Sequence, residues 1–291
     1  MRRISRLMML CLALGGVNAC SPEQVLETPV VPTAGIRFIN AVPDTGAMDF
    51  RFVDVPENSA HWGQAFRNNP VITSGVPTSQ QVQFKPARAG SRHFKIFMNS
   101  TNPAVAQTVV KDTTVELVQD HNYTVLLWGN ARTGSTPGLR LSFIDETVPD
   151  PGTQVALRVI NATGSAIDVS YYPSTGTAPA TPTWANVAPL TVSSYVTAAP
   201  GQLRFNVQPA GGGAPLFADA LALIGAPALT APPGPTDALP GTTIAGSAVT
   251  AIVFPRSVAG SQAPQTTAAP SFAAPTITFV WDRRPPRPPG I

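Results

Sequence analysis

From residue 36 onward, short apolar stretches rich in β-branched and aromatic residues alternate with turn-forming punctuation. In Ile36-Arg37-Phe38-Ile39-Asn40-Ala41, Ile36 and Phe38 share one face of an extended segment, while Arg37 and Ile39 take the other. Turn signals separate such stretches, among them Val42-Pro43-Asp44-Thr45-Gly46, Ala89-Gly90 and Pro200-Gly201. The pattern predicts strands throughout.

The pattern also occurs twice. Ile36 to Ala41 returns as Leu157-Arg158-Val159-Ile160-Asn161-Ala162, and Met48-Asp49-Phe50-Arg51-Phe52 as Ile167-Asp168-Val169-Ser170-Tyr171. Phe84 to Ile96 matches Tyr195 to Val207 without a gap, through Ala89-Gly90 and Pro200-Gly201. Tyr123 to Trp128 pairs with Val249 to Phe254, and Leu141 to Ile144 with Ile277 to Val280. Five blocks in one order indicate a tandem duplication. Roughly seven strands per unit, with turns at sandwich-like spacing, predict an all-β chain. Its expected architecture is two tandem immunoglobulin-like antiparallel β-sandwich domains, after a signal peptide and a short tether. The expected boundaries are 36–152 and 153–282. Within the second unit, residues 209–247 are dense in Pro, Ala and Gly. They predict a long loop with a strand near Leu216 to Leu223, the remainder disordered rather than functional.

At the N-terminus the pattern changes. Arg2, Arg3 and Arg6 precede an apolar run from Leu7 to Val17, too short to cross a bilayer as a helix, followed by Ala19 and Cys20. This is the layout of a secretory signal over 1–19. Val17-Asn18-Ala19-Cys20 resembles the lipobox of bacterial lipoproteins, although Asn18 departs from its usual small residue. Cys11 would leave with the signal, and Cys20 would have no disulfide partner, as expected of a lipidation site. The alternative is a cleaved soluble protein with a spare cysteine. Ser21 is similar to the residue that directs such lipoproteins to the outer membrane. Residues 20–35, with three prolines, predict a tether reaching at most roughly 50 Å.

Composition then sharpens the picture. Pro (32) and Gly (23) are too frequent for a helical bundle, and 12% charged residues too few for a disordered polyelectrolyte. The formal charge of +3 suggests nucleic acid, but three of the nineteen basic residues lie in the signal, leaving sixteen against sixteen acidic ones. A neutral exported chain gives nucleic acid no electrostatic hold. The Pro/Arg-rich tail, 283–291, is expected to be a solvated extended segment, with contact to anionic envelope polymer or lipid headgroups as its functional reading.

The strand Ile36-Arg-Phe-Ile-Asn-Ala41, followed by Pro43-Asp44 and Met48-Asp49-Phe50, resembles the bacterial domain of unknown function 4397, as do Ala89-Gly90 and Asn122-Tyr-Thr-Val-Leu-Leu-Trp-Gly129. The second copy departs from it, with Thr163-Gly164-Ser165 and Ala248-Val249-Thr250 at the corresponding places. The resemblance implies an immunoglobulin-like sandwich, often in tandem, in secreted or lipid-anchored proteins. It assigns no chemistry.

Motifs for chemistry are sparse. His61, His93 and His121 never form a spaced pair, and no H-E-x-x-H, nucleophile elbow, P-loop or dinucleotide fingerprint occurs. Asp44, Asp49, Asp54 and Glu57 lack calcium-loop spacing. Gly211-Gly212-Gly213 reads as a flexible turn. Asn99, Asn122 and Asn161 head glycosylation-like triplets. Arg37, Asn40 and Asp49 recur as Arg158, Asn161 and Asp168, either as a doubled active site or as a doubled structural device. The structural reading, which we adopt, pairs Arg with Asp across neighbouring strands and lets Asn bond a turn backbone. No catalytic residue, metal or cofactor is expected.

The expected protein is a non-enzymatic cell-envelope lipoprotein, a binding or structural module on the membrane through Cys20, in contact with envelope polymer or another envelope protein. The alternatives are an extracytoplasmic sensor or accessory subunit docking on a partner protein, and a hydrolase of envelope carbohydrate.

Overall fold

The computed structural model describes residues 30–43, 48–54, the backbone of 66–68, 84–98, 101–131, 133–229, 236–256 and 275–287. The expected signal, Cys20, most of the tether and residues 288–291 lie outside these, as do Asp44, Glu57, His61 and Asn99. Contacts divide the chain into Met1–Val31 and Pro32–Ile291. The second unit holds both halves of the duplication.

The described strands of the first half are β1 (Thr33–Asn40), β2 (Met48–Phe52), β3 (Phe66–Asn68), β4 (Lys85–Arg88), β5 (Gly90–Met98), β6 (Val109–Leu117), β7 (Asn122–Trp128) and β8 (Arg140–Asp145). They form two sheets, ordered β4-β1-β7-β8 and β3-β2-β5-β6. A single helical turn, α1 (Pro103–Ala106), leads into β6, and the Asn102 side chain accepts from the Ala104 amide to cap it. Period-2 alternation aims Phe94, Ile96 and Met98 of β5 inward, where they meet Ile36, Phe38 and Phe50. Phe38 stacks on Phe94 at 5.6 Å, and Phe143 meets Phe94 edge-on at 5.5 Å.

The second half repeats the plan with β9 (Val155–Asn161), β10 (Ile167–Pro173), β11 (Trp184–Val187), β12 (Thr191–Val192), β13 (Val196–Ala198), β14 (Leu203–Pro209), β15 (Phe217–Leu221), β16 (Ala248–Phe254) and β17 (Thr276–Arg283). Its sheets run β12-β9-β16-β17, with β13 also on β9, and β11-β10-β14-β15. Phe205 and Phe279 meet edge-on at 5.1 Å, at the places of Phe94 and Phe143. Both halves are therefore β-sandwiches. Their described strands number eight and nine rather than roughly seven, and each half departs from antiparallel order once. β1 pairs in parallel with β7, and β9 with β16, bringing Arg37 opposite Thr124 and Arg158 opposite Thr250.

These central strands are buried on both faces. One face of β1 fills its own sandwich, while Ile39 and Ala41 on the other join Leu126 and Trp128 against Ile160, Ala162, Ile252 and Phe254 of the second. Two-sided burial shows in the sequence as the unbroken runs Val125-Leu-Leu-Trp128 and Ala251-Ile-Val-Phe254.

Two expectations are corrected. The described parts of the long loop are folded rather than disordered. Beyond β15, Ala222 and Leu223 are buried, and bridges Ala226–Leu239 and Leu229–Thr236 hold a narrow ribbon. The Thr242 amide then returns to the Leu223 carbonyl at 2.7 Å. The tail is not simply solvated, because its cations find partners. Arg283 meets Asp150 at 2.7 Å, Arg284 lies over Trp281 at 4.9 Å, and Arg287 meets Asp237 of the loop at 2.7 Å.

Candidate functional site: a buried ion cluster between the sandwiches

The Arg–Asp pairs expected within each half do not form among the described residues. β1 and β2 are consecutive but lie in opposite sheets, as do β9 and β10, so Arg37 and Asp49, or Arg158 and Asp168, are carried on different layers. Both arginines turn instead to the junction of the sandwiches.

There Arg37 Nε donates to Thr124 Oγ1 at 2.7 Å, and Arg158 Nε to Thr250 Oγ1 at 2.8 Å. The parallel register places each pair side by side. The guanidinium groups then share two carboxylates. Arg37 Nη2 lies 2.5 Å from Asp282 Oδ1 and 3.2 Å from Glu146 Oε1. Arg158 Nη2 lies 2.8 Å from both oxygens of Glu146, aligned on Oε1, and 3.5 Å from Asp282 Oδ1. Thr124 donates its hydroxyl to Glu146, and Thr250 donates to Asp282 Oδ2 at 2.5 Å. An aromatic ring covers each arginine: Phe84 under Arg37 and Tyr195 under Arg158, both 4.6 Å from the guanidinium carbon. Tyr195 Oη also donates to Asp282 Oδ2 at 3.0 Å.

Every member has a counterpart in the other half. Arg37 answers Arg158, Thr124 answers Thr250, Phe84 answers Tyr195, and Glu146 answers Asp282, each acid standing two residues beyond an aligned block. Each acid serves one arginine of its own sandwich and one of the other. The charges cancel, which is what permits such burial; of the charged side chains, Arg37, Glu146 and Asp282 have zero exposure and Arg158 has 5%.

Burial works against the charge on Asp282, but the attraction of Arg37 and Arg158 prevails and holds its carboxyl below the ordinary value. On Arg158, burial again opposes the charge and is outweighed by the pull of Asp282 and the bond to Glu146, so its pKa rises. Burial, reinforced by Asp282, pushes the Tyr195 phenol up. A buried, neutral set of ion pairs and hydrogen bonds of this kind holds two surfaces together.

The other recurring residues have local duties. Asn40 Oδ1 accepts the Val42 amide at 3.1 Å. Asn161 accepts from Thr163 N at 2.9 Å and donates to the Ser165 and Val187 carbonyls at 2.8 and 2.9 Å. That amide is buried and consumed, which removes Asn161 as a glycan acceptor. Asp168 accepts from the amides of Asn186 at 2.7 Å and Gly211 at 3.0 Å, so the glycine run begins on a fixed amide. Asp49 pairs with Arg51 at 3.1 Å. Asp54 is taken by Arg92 and the His93 amide. The other two of that set, Asp44 and Glu57, lie outside the described residues.

The described histidines form surface pairs. His93 lies 2.6 Å from Asp112, whose carboxyl is drawn below the usual range by hydrogen bonds first from Lys95 and then from His93. His121 lies 2.9 Å from Asp145, beside an open cleft of about 320 Å³ between Thr33, Phe84, Lys85 and Asn122. Among the described residues no group of three His, Cys, Asp or Glu is placed to hold a metal ion, and no helix is long and apolar enough to cross a membrane.

A family model described as "Domain of unknown function (DUF4397)" matches residues 34–172. Residues 34–172, a little under half of the chain, are thus similar to that family. The matched span covers the first sandwich from the second residue of β1 and runs on through most of β10. It thus takes in Arg37, Thr124, Glu146 and Arg158, while Thr250 and Asp282 lie beyond it. No curated protein matches the chain.

Sequence reasoning missed Thr124, Thr250, Glu146, Asp282, Phe84 and Tyr195 as one group. The signal was present: both threonines and both aromatic residues lie in aligned blocks, and extending the last block by two residues aligns Glu146 with Asp282.

Proposed function

We propose that this protein is a non-catalytic binding or structural module of the bacterial cell envelope, held to a membrane by a lipid on Cys20. The observation that carries the non-catalytic part is how its converging polar groups are used. Glu146 and Asp282 are sealed and shared between two arginines, whereas a hydrolase of envelope carbohydrate needs two carboxylates facing a sugar across an open cleft. The anchoring part rests on the Arg-rich start, the short apolar run and Val17-Asn18-Ala19-Cys20. The paired sandwiches supply a stable body, and the Pro-rich tether supplies reach.

The test has two arms. Mass spectrometry of the mature N-terminus is expected to show acylated Cys20, and an unmodified thiol overturns the anchoring. A pull-down from envelope extract with the fragment starting at Pro32, run beside a glycan array, is expected to capture an envelope polymer or protein. Capture of neither overturns the binding role.

The second reading, an accessory subunit docking on a partner protein, is favoured by one feature. β6 is nine residues long and, among the described strands, pairs only with β5, leaving its other edge for a partner strand. Its Lys111, Asp112 and Glu116 are residues that protect edges from indiscriminate pairing.

A further inference from the structure

The surface joining the sandwiches repeats itself residue by residue. Ile39 answers Ile160, Ala41 answers Ala162, Leu126 answers Ile252 and Trp128 answers Phe254, and all eight side chains lie in the shared apolar cluster. Beside them, Arg37 reaches across to Asp282 and Arg158 reaches across to Glu146, one acid and one base from each side. A surface on which i meets j while the counterpart of j meets the counterpart of i is isologous, the arrangement of a twofold homodimer.

The connection between the halves contributes little to this. From Thr147 to Gln154 the chain carries two prolines, Pro149 and Pro151, and a turn in which the Gln154 amide bonds the Pro151 carbonyl. Gly152 is exposed, and a Cβ built on it would meet nothing within 4 Å.

We propose that the face built by β1, β7 and β8, repeated by β9, β16 and β17, is a self-complementary docking surface whose partner is another copy of the same sandwich. The chain is a linked dimer of DUF4397-type sandwiches, held by this face and merely tethered by residues 147–154. Apolar contact supplies the affinity. The ionic ring supplies register, because a shifted partner would bury an arginine without an acid.

The experiment uses the full chain with a site-specific protease sequence inserted after Gly152, cut after folding and run on size exclusion at neutral pH. The expected result is a single peak at the size of the uncut chain, containing both fragments. Two separated fragments, folded or not, overturn the proposal. The same cut chain carrying Glu146→Gln keeps the shape but leaves two arginines to one acid. Its fragments are expected to dissociate with a Kd raised about a hundredfold or more. An unchanged Kd overturns the assignment of the ionic ring to the docking surface, even if the uncharged contacts hold. The cut wild-type chain reads the proposal without depending on whether that variant folds.

Discussion

Asp49 and Asp168 occupy equivalent places in the duplication, yet their surroundings give them different weight. Asp49 pairs with an arginine whose side chain is 39% exposed, and an ion pair so open to water contributes on the order of 0.2–1 kcal/mol. Asp168 is buried and accepts two backbone amides, at Asn186 and Gly211, both on backbone with positive φ. Truncating it leaves both donors without an acceptor, a loss of about 1–3 kcal/mol. Chemical denaturation of Asp49→Ala and Asp168→Ala is therefore expected to separate them, with the larger loss at Asp168. Equal losses would mean that the two loops do not depend on these bonds as the geometry indicates. The duplication made both residues visible in the sequence. It could not assign their partners, because a carboxylate's partner is set by which layer its strand joins.

At the scale of elements, most strands were legible because they are short runs rich in β-branched or aromatic residues between turn residues, whereas β4, Lys85-Pro-Ala-Arg88, is not such a run. The parallel pairing of β1 with β7, and of β9 with β16, was not, since periodicity records which face a residue takes and not which neighbour it has. The long loop was misread for a related reason: Pro, Gly and Ala carry little periodic signal, yet they permit very close backbone approach. Gly241 shows this. A Cβ on it would sit 2.3 Å from the Gly225 nitrogen and 2.4 Å from the Ile224 carbonyl oxygen, both rigid backbone atoms. Gly241→Ala must push the two passes of the loop apart, at a cost of about 1–3 kcal/mol. The amides of Thr242 and Thr243, which bond the Leu223 and Ile224 carbonyls, are expected to lose hydrogen-exchange protection while β16 and β17 keep theirs. Unchanged protection at those amides would refute the close approach.

For the whole molecule, the ion cluster links stability to pH. Asp282 has a folded pKa below its ordinary value of 3.8, so its contribution is complete above that value and is lost as pH falls through the lowered folded one. Once Asp282 is protonated, Arg37 and Arg158 remain charged and share fewer counter-charges inside a water-free junction, which strains the contact between the sandwiches rather than either hydrophobic core. Thermal melts of the full chain are thus expected to show one transition, with a midpoint that is level from pH 7 to about 5 and falls below about pH 4. Asp282→Asn removes the charge at every pH and leaves the arginines underpaired, a loss of about 3–5 kcal/mol near neutrality by analogy with broken buried pairs. Its midpoint should lie well below that of the wild type at neutral pH and approach it as pH drops past 3.8, because the wild type is then losing the same charge. If both proteins instead fall in parallel through the acid range, the pH dependence arises from surface carboxylates such as Asp112, and the buried cluster is not what couples the two sandwiches to the proton.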